Sequence, residues 1–295
     1  MDFERFAPAK VNLFLHVGRP GADGYHPICS LVTFADVGDV VRLRRAPQMG
    51  FSIEGPFAAE LKGQGDNLVT RARDLALSRW PSAPPTFHLT LDKRLPVAAG
   101  LGGGSSDGAA TLLLIDEILG GGIGRRRGRL AALAAQLGAD GPMCLAALAA
   151  VATGRGDVLS FPPAFPDLDA VLVNPLEPSA TGAVYRAYDE AGAPGGADEP
   201  AWVRPLESPQ VVAGFLAGCR NDLEAPAISL QPAIAEVLSA LRARPETLIA
   251  RMSGSGATCF ALCASGRERD RLARALVAEH RGWWVKPCRL AGFRP

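Results

Sequence analysis

The chain has almost no net charge: 31 lysines and arginines oppose 30 aspartates and glutamates, a formal +1. A protein that tracks a nucleic-acid backbone needs a strongly basic face, and this balance supplies none. The one basic run, Arg125-Arg126-Arg127, sits beside glycines and reads as a solvated loop or helix start. Long apolar runs are missing as well. No stretch reaches the roughly 18 uninterrupted apolar residues of a membrane-crossing helix. Met1-Asp2-Phe3-Glu4-Arg5 lacks the basic-then-apolar form of a secretory signal. The six cysteines include no C-x-x-C pair; they read as reduced core residues of a cytoplasmic protein rather than a disulfide or zinc framework. The four histidines show no H-x-x-x-H spacing, so no dedicated metal cage is expected.

What remains is an ordinary globular composition, 48% hydrophobic and 21% charged over 295 residues, long enough for two domains. Strands are expected over 11–17, 28–34, 39–43 and 87–91, with a helix over 67–80 between them. The middle reads as helical over 105–119 and 129–137, with a short Ala/Leu-rich stretch after Asp140. Strands follow near 149–153 and 170–173. The stretch 191–210, rich in Pro, Gly and acidic residues, reads as a loop or partly mobile insertion. Beyond it come a helix over 231–243, strands over 247–252 and 258–263, a helix over 267–280 and a strand over 283–290. This order fits an α+β architecture, with a boundary near 155–165.

Three segments carry chemistry. Pro96-Val97-Ala98-Ala99-Gly100-Leu101-Gly102-Gly103-Gly104-Ser105-Ser106-Asp107 is a glycine-rich loop running into an apolar helix. Glycine lets backbone approach a ligand closely, and a helix N-terminus offers unpaired N–H groups and partial positive charge. The pair makes an anion site, most naturally for phosphate. It is not a Walker A motif, which needs a lysine beside the last glycine; no lysine lies between Lys93 and Lys286. Nor does it fit G-x-G-x-x-G. Lys10 and Asn12, two apart on a strand, share a face and offer a cation and an amide to one ligand. Met252-Ser-Gly-Ser-Gly-Ala-Thr258 is a small-residue turn between two strands, whose backbone can pack against a phosphate-bearing loop.

Together these three segments resemble the signature motifs of the GHMP kinase superfamily. Gly24-Tyr25-His26, Asp92-Lys-Arg-Leu-Pro96, Leu137-Gly-Ala-Asp140 and Asn221-Asp-Leu-Glu224 extend the resemblance, in family order, from Ala7 to about Ala291. They narrow it to members acting on a cytidine diphosphate-linked methylerythritol. The resemblance implies a two-domain α+β fold, an N-terminal ATP-binding domain over 1–160 and a C-terminal domain over 161–295, with the active site in the interdomain cleft. It implies ATP and Mg²⁺ as cofactors, a small-molecule substrate, no nucleic acid or membrane partner, and a monomer or homodimer.

Residue by residue, it implies that Asp140 is the general base for the substrate hydroxyl. Lys10 would keep that carboxylate ionised and stabilise the incipient alkoxide. Pro96, Val97, Ala98, Ala99, Gly100, Leu101, Gly102, Gly103, Gly104, Ser105 and Ser106 would wrap the ATP phosphates. Tyr25 would stack on the cytosine and His26 hydrogen-bond to it. Asn12 and Thr181 would be further substrate contacts, and Tyr185 would cover the other face of the base. Three segments depart from the family: Ala98-Ala99, where glycine is common, would stiffen the loop; Gly141, in place of a bulky aliphatic, would loosen the backbone beside Asp140; and 145–151 is alanine-rich where aromatic and glycine residues are usual. The competing readings are a GHMP kinase for another small alcohol, such as mevalonate or a sugar, and a non-catalytic ATP or metabolite sensor.

Overall fold

The computed structural model describes residues 2–63, 66–79, 85–120, 127–162, 165–192, 195–201 and 205–291. Trp80, Arg125, Arg126, Pro163 and parts of 191–210 lie outside them. The chain begins with β1 (Asp2–Asn12), β2 (His16–Val17), β3 (Ile28–Arg45) and β4 (Gly50–Glu54), then α1 (Leu68–Leu77) and β5 (Phe87–Asp92). Three helices follow, α2 (Gly103–Ile118), α3 (Arg127–Leu137) and α4 (Gly141–Ala146), then β6 (Ala150–Gly154), β7 (Val158–Ser160) and β8 (Leu168–Asn174). The last part holds α5 (Thr181–Glu190), α6 (Pro209–Ala217), α7 (Glu224–Leu230), α8 (Ala233–Arg242), β9 (Ile249–Met252), β10 (Cys259–Cys263), α9 (Gly266–Glu279) and β11 (Trp284–Leu290).

Two compact units emerge, each assembled from separate segments: 1–9, 38–97 and 102–147 form the first, 10–37, 98–101 and 148–295 the second. In the first unit the end of β3 pairs antiparallel with β5, Val40 opposite Asp92, and β4 adds to β5 in parallel. α1, α2 and α3 cover the apolar face; Leu43, Leu89, Val69, Leu112, Ile115 and Leu133 belong to one buried cluster. α1 starts where the Asn67 side chain accepts from the Val69 N–H at 2.8 Å, a side-chain cap for an otherwise orphan donor.

The second unit is a sheet in the order β11-β8-β10-β9, antiparallel throughout, with the start of β3 reached at Leu290 opposite Ala35. The beginning of β3 also carries β2 and β6 as partners, and β7 follows on β6. α5, α7, α8 and α9 bury Tyr188, Ala227, Leu238 and Leu276 against Val171, Cys259 and Ala261. α6 and α9 are capped by Ser208 and Ser265, whose side chains accept from Val211 and Glu268.

Several elements differ from the sequence reading. β1 starts at Asp2 and stops at Asn12, with His16–Val17 a separate short strand. The expected strands at 28–34 and 39–43 are one strand of 18 residues. β4, β7, α6 and α7 were not expected. Within 191–210, residues 195–198 are tied down: Gly195 N–H donates to the Tyr188 hydroxyl, and the Gly196 and Asp198 carbonyls accept from Arg220 and His16. Among the described residues no helix is long and apolar enough to cross a membrane.

Candidate active site

Within the second unit, the glycine-rich loop and the small-residue turn lie against each other, as the sequence reading expected. Thr258 N–H donates to the Ala99 carbonyl at 3.1 Å, and Ser253 Oγ donates to the Gly100 carbonyl at 3.0 Å. Gly100 has φ +73°, and a Cβ there would stand 2.4 Å from the Ser253 carbonyl oxygen. Only glycine fits. Lys10 N–H donates to the Leu101 carbonyl at 2.8 Å, so β1 carries the other edge of the same segment.

Lys10 and Asn12 share a face, as the period of a strand requires. Lys10 Nζ donates to Asn12 Oδ1 at 2.7 Å, and Asn12 Nδ2 donates to Ser30 Oγ at 2.8 Å. Ser30 in turn donates to the Phe14 carbonyl at 2.5 Å, which leaves its oxygen free to accept and settles the amide's orientation. Both Lys10 and Asn12 are buried. Asn12 N–H also donates to Ser253 Oγ at 3.1 Å.

The first unit holds Pro96, Val97, Gly102–Ser106 and Asp140. α2 begins on Gly102 at φ +60°, and no side chain caps it. A helix of this length without a cap leaves its first-turn N–H groups for a ligand. Ser106 Oγ donates to the Pro8 carbonyl at 2.7 Å. Asp140 stands at the N-cap of α4, making no side-chain cap bond. Gly141 does not loosen this point. A Cβ on it would lie 1.9 Å from the Ala134 carbonyl oxygen, so α3 and α4 approach too closely for any other residue. Ala98, by contrast, adopts φ +50°, a strained region for a residue with a Cβ.

A third group of residues is built around the exposed loop at 21–26, also within the second unit. Gly21 N–H donates to the Tyr25 carbonyl at 2.8 Å, and Gly24 closes the turn at φ +77°. Tyr25 is 56% exposed. Its ring carries the Arg155 guanidinium 4.1 Å from the centroid. Asp23 joins the two, accepting from Tyr25 N–H at 3.0 Å and pairing with Arg155. His26 Nδ1 lies 2.9 Å from the Gly18 carbonyl and must donate to it; Nε2 faces Asp189 at 3.4 Å. The His26 ring is 5.0 Å from that of Tyr185. Thr181 Oγ1 lies 2.9 Å from Ser255 Oγ, beside the small-residue turn.

Sequence reasoning missed Arg155, Ser30 and a buried ion cluster in the first unit. There Lys93 Nζ donates to Asp39 Oδ2 at 2.6 Å and to Asp107 Oδ2 at 2.9 Å. Burial pulls the Lys93 ammonium down, but Asp107 and Asp39 outweigh it and hold its pKa above the ordinary lysine range. Burial pushes the Asp107 carboxyl up to about 7, with Lys93 opposing. The motif Asp92–Pro96 was visible; the carboxylates it meets, 54 and 14 residues away, were not.

Residues 67–153 match the family of GHMP kinases N terminal domains, and residues 213–281 that of GHMP kinases C terminal domains. A 4-diphosphocytidyl-2-C-methyl-D-erythritol kinase of Caulobacter vibrioides (strain NA1000 / CB15N) is 54% identical over 292 residues, covering 99% of this chain and 100% of that protein. One of the same name from Cereibacter sphaeroides (strain ATCC 17025 / ATH 2.4.3) is 45% identical over 294 residues, covering 98% and 99%. A crystal structure of 4-(cytidine 5'-diphospho)-2C-methyl-D-erythritol kinase superposes with TM-score 0.77 at 34% identity, covering 98% of this chain and 100% of that one. The Methanococcus jannaschii mevalonate kinase, at TM-score 0.65 and 12% identity over 99% and 98%, shares the fold.

Proposed function

The chain belongs to the GHMP kinases, among the 4-diphosphocytidyl-2-C-methyl-D-erythritol kinases, and on that premise we propose that it phosphorylates the 2-hydroxyl of that substrate with ATP. The observation that carries this is the full-length likeness to kinases of that name. The reaction is an ATP-dependent phosphotransfer to an alcohol, in the non-mevalonate route to isoprenoid precursors. Asp140 accepts the hydroxyl proton. The substrate oxygen bonds to the γ-phosphorus while the bond from that phosphorus to the β–γ bridging oxygen breaks, and ADP leaves. Such transfer is largely positioning and charge stabilisation. Lys10 is the proposed source of positive charge for the developing alkoxide.

The uncapped start of α2 supports a phosphate role for Pro96–Ser106. This dispenses with a Walker lysine, because backbone N–H groups and the helix dipole supply the positive field. Tyr25 offers a ring face for the cytosine. His26, whose Nδ1 donates to the Gly18 carbonyl and whose Nε2 lies 3.4 Å from Asp189, is the proposed hydrogen-bonding partner of the cytosine. Asn12, Thr181 and Tyr185 complete the proposed substrate set. Mg²⁺ fits as a companion of the polyphosphate: among the described residues no three acidic, His or Cys groups gather to hold a metal alone. The hydroxyl of Ser105 or Ser106 would add a hard oxygen donor to it. The metal would supply charge neutralisation on the transferring group.

ADP release by the purified protein tests the reading. Turnover is expected with 4-diphosphocytidyl-2-C-methyl-D-erythritol and not with mevalonate or galactose. Equal rates with the three alcohols would defeat the substrate assignment, and no ADP release with any would defeat the kinase.

A further inference from the structure

The phosphate loop leaves β5 through Lys93-Arg94-Leu95 and ends in α2, and one buried ion cluster grips the first unit at both of those points. Asp39 Oδ2 accepts from Lys93 Nζ, and its other oxygen accepts from the N–H groups of Arg94 at 2.6 Å and Leu95 at 2.8 Å. Three consecutive residues before Pro96 are therefore fixed to β3. On the far side of the loop, Asp107 in the second turn of α2 is fixed to the same Lys93. The three side chains are 5%, 0% and 4% exposed for Lys93, Asp39 and Asp107. Gly103, the first residue of α2, leaves just enough room: a Cβ there would sit 3.1 Å from Lys93 Nζ.

Stability alone is a poor reason for this arrangement. Burying ions costs several kcal/mol each, and apolar residues of similar volume commonly serve a core as well or better. The cluster also leaves Asp107 Oδ1 buried with no hydrogen-bond partner, a further cost that an apolar side chain avoids. What an ion cluster gives that an apolar one does not is directional geometry. One ammonium reaches two carboxylates only when the residues before the loop and the helix after it keep one spacing. That spacing governs where the loop's N–H groups point, and preorganised donors lose their effect when displaced by about an ångström.

We propose that Lys93, Asp39 and Asp107 are positioning residues for phosphoryl transfer, which hold the two ends of the phosphate loop at the spacing that aims its backbone N–H groups at the nucleotide's phosphates. The proposal rests on the kinase reading above. Asp39 is the principal anchor, since it carries three donors where Asp107 carries one.

The test is ADP binding by calorimetry to wild type, Asp39→Asn, Lys93→Met and Asp107→Asn, alongside KM for ATP and for the alcohol substrate and a melting curve for each. Asp39→Asn and Lys93→Met are expected to weaken ADP on the order of tenfold, and Asp107→Asn about threefold, with KM for the alcohol unchanged. A role in stability alone would lower the melting temperature and leave ADP affinity where it was. Folded Asp39→Asn or Lys93→Met that binds ADP within threefold of wild type, or a folded variant that raises both KM values together, overturns the proposal. If Asp39→Asn and Lys93→Met do not fold, the near-isosteric Asp107→Asn decides, and an ADP dissociation constant equal to that of wild type overturns the proposal. Wild-type protein that binds no ADP overturns the kinase reading and this proposal with it; wild type that binds ADP beside indifferent variants overturns only this proposal.

Discussion

The loop at 96–106 and the loop at 21–26 both turn on glycines, yet they are held in opposite ways. The first is fixed by buried backbone contacts: Leu101 to Lys10, Ala99 to Thr258 and Gly100 to Ser253. The second is fixed at the surface by Asp23, Arg155 and a ring that is 56% exposed. The difference follows from what each is proposed to do. Phosphate must meet dipoles that do not relax when charge moves, so its donors are preorganised within packed structure. A base must be admitted and released, and its recognition can sit on an adjustable surface loop. On the proposed reading, phosphate handling would belong to the packed loop and substrate choice to the loop at the surface.

Asp140→Asn separates both loops from the chemistry, and has the largest expected effect. Turnover should fall by about 10² to 10⁴, the range for loss of a general base. Binding of ADP and of the cytidine diphosphate substrate, measured by calorimetry, should stay near wild type. Near-normal turnover would place the base elsewhere. Gly100→Ala strikes the buried loop. A Cβ at φ +73°, facing the Ser253 carbonyl at 2.4 Å, must displace one backbone or the other. The expected cost is about 2–4 kcal/mol, read as a lower melting temperature and weaker ADP binding. Unchanged ADP affinity would mean that the loop is less fixed than the comparison holds.

Tyr25→Ala strikes the exposed loop. Loss of one base–aromatic stack should raise KM for the cytidine substrate about tenfold, with KM for ATP and the melting temperature unchanged. A parallel rise in KM for ATP would erase the distinction between the loops.

His16 and His26, both in the second unit, repeat the contrast. His26 turns Nε2 to the half-exposed Asp189 carboxylate at 3.4 Å, whereas His16 is held by backbone on both sides: Nδ1 faces the Asp198 carbonyl at 2.7 Å and Nε2 accepts from Arg220 N–H at 3.3 Å. Burial lowers the His16 pKa below 6.5, so the fold prefers its neutral form. That contribution is complete above pH 6.5 and is lost as pH falls through 6.5 towards the folded value. Between pH 7.5 and 5.5, wild type should lose more stability than His16→Asn, measured by urea melts. Parallel slopes would remove His16 as the source.

The same contrast governs what the sequence disclosed. Gly100, Lys10 and the turn at 253–258 were legible because close backbone approach and strand periodicity leave marks in residue type. Ala35-Asp-Val-Gly38 read as a break between two strands, but Gly38 is there because a Cβ would lie 2.2 Å from the Ala7 carbonyl oxygen. It marks a close pass between strands within β3. The start of β1, Asp2-Phe-Glu-Arg-Phe6, gave no buried face to detect. Ser208-Pro209 was an available cap-and-N1 signal for α6, absorbed into a loop reading by its Pro-rich surroundings. Gly141 looked like slack because its neighbour in space, Ala134, is not its neighbour in sequence. The ion cluster at Lys93 and the Arg155–Tyr25 contact depend on partners that spacing alone does not reveal.

Arg155 offers the smallest test and the finest one. Its guanidinium occupies one face of the Tyr25 ring, so a cytosine has only the other face to take. Arg155 and Asp23 are about half exposed, and an ion pair in that setting contributes little; the cation–π contact contributes about 0.5–1 kcal/mol. Arg155→Ala should therefore raise KM for the cytidine substrate about threefold, leaving kcat and KM for ATP alone. Arg155→Lys keeps the charge but not the planar group that lies over the ring, and should recover only part of the loss. In Tyr25→Ala the Arg155→Ala change should add almost nothing, because a positioning residue has no effect once the group it positions is gone. Full additivity of the two changes would mean that Arg155 acts on the substrate by another route, and that the exposed loop is held by Asp23 and its glycines without it.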